Sequence, residues 1–155
     1  MTPILSTLVY CLRDGRVLLM HRHKEPNLGL WVGLGGKVEP HESPYECARR
    51  ELYEEAGLRA QDLVFRGLVT EVSPDPNWHW MLFIYVVTAF TGKLIADERE
   101  GQLRWWPLAQ ACDLPIPQAD AVFFPRITDL SRPFYHAKYV YDADRKLVEV
   151  REHPV

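Results

Sequence analysis

Residues 35 to 58 constrain this chain more than any other stretch, because they confine a helix between stop signals and load it with acid. Ser43 suits a helix cap, Pro44 the first helical position and Gly57 the residue after the end, so the spacing predicts a helix over Pro44–Ala56. At 100° per residue, Glu51 and Glu55 fall on one face a turn apart, with Glu54 on the flank. Tyr45, Ala48 and Leu52, with Cys47 and Ala56, form the face expected to meet a core. Like charges so crowded repel one another unless a hard divalent cation neutralises them. Mg2+ takes oxygen ligands and usually arrives with a substrate's phosphates. Just upstream, Gly35-Gly36 let the backbone turn tightly and offer a bare carbonyl. Arg50 is four residues from both Glu46 and Glu54, placed to orient carboxylates rather than to attack anything.

The series Gly36, Glu42 and Arg50-Glu51-Leu52-Tyr53-Glu54-Glu55-Ala56-Gly57-Leu58 matches the signature of the Nudix pyrophosphohydrolases without a departure. The run Gly35-Gly36-Lys37-Val38-Glu39 resembles the MutT-type nucleotide-cleaning branch. That resemblance implies an α/β (α+β) fold, an α/β/α sandwich whose central mixed sheet carries the acidic helix. It also implies hydrolysis, dependent on Mg2+ or alternatively Mn2+, of a nucleoside diphosphate linked to another group. By the same match Glu51 and Glu55 are the principal metal ligands, and Glu54 is an additional ligand or a water-orienting group. The Gly36 carbonyl is a further ligand, with Glu42 and Arg50 in support. In this branch a glutamate in the loop before a tryptophan-containing strand completes the metal site. Glu100 is the expected residue and Glu98 the alternative, and either Glu54 or Glu100 is the expected general base.

The remaining features concern the substrate and its neighbours. Arg22 and Lys37 are the basic residues expected to hold phosphates, ahead of His21, His23 and Lys24. Base recognition calls for aromatic platforms and edge hydrogen bonds; Trp31, Trp78, Trp80, Trp105, Phe123 and Phe124 are the available platforms, with Trp31 in the segment that resembles the oxidised-purine triphosphatases. Where those relatives carry adjacent aspartates after a Trp-Pro pair, this chain offers Ile116-Pro117-Gln118-Ala119-Asp120, and the resemblance implies Asp120, or alternatively Gln118, as a base contact. An asparagine follows the tryptophan in the oxidised-purine triphosphatases of the family, and Val32 stands there in this chain. The closing segment from Arg132-Pro133-Phe134-Tyr135-His136 to Leu147 resembles the tail of the same group and favours a nucleoside triphosphate, cleaved to monophosphate and pyrophosphate. Hydrolysis of a sugar-linked or dinucleoside diphosphate, and a non-catalytic nucleotide-binding domain, are the alternatives.

Length and charge fit that partner. The 155 residues suit one domain, 1–155, and the net charge of −3 argues against a nucleic-acid polymer and for a small nucleotide. No apolar run reaches membrane-spanning length. Cys11, Cys47 and Cys112 lack a metal-type spacing and read as reduced, buried thiols of a cytoplasmic protein, a monomer or homodimer. Strands are expected over 4–12 and 17–20 around Asp14-Gly15, over 63–72, 80–90 and 103–106, and as a second hairpin over 134–142 and 146–151. The segment 119–130 is expected as a helix around Pro125 or as two short turns.

Overall fold

The computed structural model describes residues 2–95 and 100–155. Strands β1 (Ile4–Arg13) and β2 (Arg16–Arg22) form a hairpin closed by Asp14 and Gly15, whose φ values of 53° and 72° give the primed turn that right-twisted strands require. Then come β3 (Trp31–Val32), α1 (Pro44–Ala56), β4 (Leu58–Ala60), β5 (Val64–Val72), β6 (His79–Val87), β7 (Phe90–Gly92), β8 (Gly101–Pro107), α2 (Leu108–Ala111), α3 (Gln118–Thr128), β9 (Tyr135–Tyr141) and β10 (Leu147–Glu152). The main sheet runs β10-β9-β5-β6-β1-β2-β3, with β8 on the other side of β2. It is mixed, because β1 is parallel to β6 and β5 to β9 while the other pairs are antiparallel.

β1 reads as a continuous apolar run because both of its faces are covered. Val9 and Cys11 pack with Ala48, Leu52 and Ala56 of α1, whereas Leu8 and Tyr10 pack with Phe123, Phe124 and Ile127 of α3. That is the expected α/β/α sandwich. Each large side chain so enclosed, such as the fully buried Leu52, contributes about 2 kcal/mol by leaving water. α1 has the limits its sequence predicts, with a Ser43/Glu46 capping box, Pro44 in the first turn and Gly57 as a left-handed C-cap at φ 75°.

Three expectations change, and one open choice is decided. Tyr45 is 46% exposed although it lies on the stripe of Ala48, Leu52 and Ala56, because it sits in the first turn, at the end of the helix. The apolar run after residue 79 breaks at Thr88 and Ala89, whose N–H groups are captured by Asp62 Oδ1 at 2.8 and 2.9 Å, and Phe90 then belongs to a separate ribbon of β4 and β7. Of the two forms expected for segment 119–130, the helix is the one present, as Gln118–Thr128 with Pro125 inside it. Cys112 is exposed, while Cys11 and Cys47 are buried as expected. Among the described residues no helix is long and apolar enough to cross a membrane.

Candidate active site

α1 projects its acids over the turn that follows β3. Gly35 and Gly36 fit there for steric reasons: a Cβ on Gly35 would lie 2.0 Å from the Thr7 carbonyl oxygen, and one on Gly36 would lie 2.6 Å from Glu51 Oε1. Gly35 also holds φ at +143°, a conformation open mainly to glycine. Its N–H donates to Glu55 Oε1 at 2.7 Å, tying the turn to the helix.

Arg50 is the hub of the cluster. It grips Glu42 through two bonds of 2.7 and 3.0 Å, and its Nη1 reaches Glu51 at 2.9 Å and Glu54 at 3.2 Å. This forked bond holds Glu42 down at about 2. Glu46, the other partner expected for Arg50, serves the capping box instead.

Glu55 has the opposite environment. Burial pushes its carboxyl up to about 9, and the charge of Glu51 and a hydrogen bond with the Glu100 carboxyl add to that, against the lowering effect of the Gly35 N–H. Glu51 is raised as well, burial outweighing Arg50. Glu51, Glu54, Glu55 and Glu100 line a cleft of about 490 Å³, with Lys24 on its wall and Met20 and Ile95 as apolar boundaries. Among the described residues no three His, Cys, Asp or Glu side chains are positioned to hold a metal ion as they stand. Each acid has a substitute partner, namely Arg50 for Glu51 and Glu54, and Gly35 and Glu100 for Glu55. Two carboxyls hydrogen-bonded to each other beside a third are the arrangement a divalent cation would replace, and an all-oxygen donor set suits a hard one.

Other expected site residues sit elsewhere. The Gly36 carbonyl is taken by β1, accepting from the Thr7 N–H at 2.9 Å and from the Ser6 and Thr7 hydroxyls at 3.2 and 3.3 Å, so it is turned away from the acids. Arg22 braces its own loop, donating to the Pro26 carbonyl at 3.1 Å, and Lys37 lies 5.8 Å from the centre of the Trp80 ring. Lys24, ranked below both from sequence, is the basic residue on the cleft wall. Asp97 and Glu98 lie outside the described residues.

Trp31 is buried on the α3 side, stacked on His21 at 4.7 Å and edge-on to Trp106 at 5.2 Å. With Tyr10, Val32, Phe124 and Asp120 it lines a small pocket with room for about 10 Å³, the space of a single water. Burial among these rings, and then the charge of Glu71, push Asp120 up to about 8, although part of its surface remains accessible. Glu71, which the sequence reading did not single out, lies on the same face of β5 as the buried Val69, two residues away.

The sequence profile of the NUDIX domain matches residues 2–127. An uncharacterized Nudix hydrolase, YvcI, of Bacillus subtilis is 28% identical over 91% of this chain and 89% of its own length. A putative 8-oxo-dGTP diphosphatase 3 of Mycobacterium tuberculosis is 35% identical over 72% of this chain, which spans 53% of that longer protein. The crystal structure of a mutator MutT protein from Bacillus halodurans superposes with a TM-score of 0.86 and 28% identity, covering 98% of this chain and 99% of its own. This chain therefore belongs to the NUDIX family and is a MutT-like Nudix hydrolase.

Proposed function

We propose that this hydrolase is a divalent-cation-dependent pyrophosphohydrolase that converts a nucleoside triphosphate to the monophosphate and pyrophosphate, with Mg2+ the expected ion and Mn2+ a substitute. The observation that carries this reading is the acid cleft with one basic wall, set across β2 from an aromatic pocket. Met20 lines the cleft and its neighbour Leu19 the pocket. A molecule engaging both must carry charge at one end and a flat ring at the other, which describes a nucleotide. The likeness to a putative 8-oxo-dGTP diphosphatase makes oxidised purine triphosphates the first to try.

Glu51, Glu55 and Glu100 would hold the cation, with Glu54 at the rim. The Gly36 carbonyl is engaged by β1, and of the two glycines it is Gly35 whose backbone touches Glu55, so the carbonyl assigned to the ion is that of Gly35 rather than Gly36. Once bound, the ion supplies neutralisation of phosphate charge and a water of lowered pKa. Glu54, held by Arg50 through Oε2, takes the proton of the attacking water on Oε1. The new P–O bond forms at the inner phosphorus as the bridging P–O bond breaks and pyrophosphate leaves. Trp31 and Asp120 receive the base, which requires the pocket to widen beyond its present volume.

The test is incubation with Mg2+ and canonical and oxidised (d)NTPs, ADP-ribose and nucleotide sugars, with products separated. Pyrophosphate plus monophosphate from a triphosphate is expected; turnover of ADP-ribose alone, or of nothing, overturns the reading. Lys24→Ala is expected to raise KM about tenfold with kcat within threefold, as loss of a phosphate contact made equally in ground and transition states. A fall in kcat with unchanged KM would remove Lys24 from that role.

A further inference from the structure

Glu71 is a carboxylate that the cleft does not use. It lies on the α3 face of β5, two residues from the buried Val69, and is in register with Tyr139 of β9 and Trp80 of β6. Its Oε2 accepts the hydroxyl of Tyr141, itself packed edge-on against Trp78 at 4.9 Å. Asp120, in the first turn of α3 and on the wall of the aromatic pocket, is close enough to feel the Glu71 charge. Two acids therefore share this face of the fold, one of them on the pocket wall, and among the described residues neither forms an ion pair. Apolar side chains would fill that space at less cost to stability. The placement makes sense if a ligand brings N–H donors.

We propose that Glu71, anchored through Oε2 by Tyr141, is a specificity-determining residue whose Oε1 accepts the exocyclic amino group of a nucleobase. An amino group offers an N–H to this oxygen, whereas a carbonyl in its place points lone pairs at a carboxylate and leaves both groups unpaired. Rejection by a buried polar site is stronger than rejection by an apolar one for this reason. Asp120, neutral at pH 7, adds an O–H donor and a C=O acceptor for the adjoining ring atoms. The inference rests on the nucleotide reading above and adds the class of base.

Binding without metal separates it from catalysis. Calorimetric titration with GMP against IMP, and with CMP against UMP, is expected to give about 30-fold tighter binding of the amino-bearing member in whichever pair the pocket admits. Glu71→Met should narrow that gap to within threefold, mainly by tightening the amino-free member, which a purely structural role for Glu71 would not do. If Glu71→Met does not fold, Tyr141→Phe serves, with the gap expected to shrink several-fold as the carboxylate loses its anchor. No binding of any of the four nucleotides, an equal affinity within each pair, or a gap that survives substitution overturns the proposal. Selective binding without hydrolysis of the matching triphosphate sinks the proposed reaction and leaves the role of Glu71 standing.

Discussion

Glu55→Gln is expected to abolish metal-dependent turnover, by about a thousandfold or more, and at the same time to stabilise the metal-free protein. The activity loss follows from removing one charge from the acid set that would hold the cation, at its most enclosed member. The stability gain follows from linkage. Folding raises this carboxyl to about 9 from the ordinary 4.5. Below pH 4.5 both the folded and unfolded states hold the proton, and Glu55 has no effect. Between 4.5 and 9 the unfolded chain releases a proton that the folded chain keeps, so stability falls as pH rises, by about 3 kcal/mol at pH 7. Glutamine keeps the size and the acceptor for the Gly35 N–H, and has no proton to lose. Thermal unfolding in EDTA across pH 5 to 9 should show a falling Tm for the native protein and a flatter, higher curve for the variant. Mg2+ should release protons on binding and bind more tightly as pH rises. A variant that kept near-native activity, or one that lost stability at pH 8, would remove Glu55 from this role.

The parts of this site that the sequence reveals are those set by local rules. Ser43 and Pro44 fix the start of α1 and Gly57 its end, and helical spacing alone brings Glu51 and Glu55 onto one face. The hairpin at Asp14-Gly15 is just as local. What sequence could not show depends on which strands pair. The direction of the Gly36 carbonyl follows from its bridge to β1, some thirty residues earlier, and a one-residue change of register would have turned it toward the acids. Glu71 meets Tyr141 only because β5 and β9 lie side by side, across a separation of 70 residues. Arg22 and Lys24 alternate on the same chain, so choosing between them needs the loop after β2, where Arg22 folds back onto Pro26. Tyr45 failed for a subtler reason: seven residues before Leu52, it lies on the buried stripe in angle but sits in the first turn, at the end of the helix.

Arg50→Gln should produce the contrasting phenotype, with loss of activity and loss of stability together. In the native fold the guanidinium compensates Glu42, Glu51 and Glu54 and also touches the Lys37 carbonyl at 3.4 Å, all while its side chain is 22% exposed. Removing it leaves Glu51 half-buried beside Glu55 without a positive partner. The penalty approaches that of breaking a buried ion pair, reduced by partial solvation to about 2 kcal/mol, a fall in Tm of roughly 4–8 °C for a chain of this size. Turnover should drop about a hundredfold, because Glu51 and Glu54 lose the group that aims them. The pH dependence has the opposite sign to that of Glu55. Glu42 is held at about 2 by Arg50, so its stabilisation is complete above the ordinary 4.5 and is lost as pH falls through 2. The stability gap between the native protein and Arg50→Gln should therefore be widest above pH 5 and close on acidification. Arg50→Lys should recover little of it, since one ammonium cannot hold both oxygens of Glu42 while reaching Glu51. Full activity in the lysine variant would show that Arg50 acts as a point charge, and a gap unchanged down to pH 2 would show that Glu42 is not its main partner.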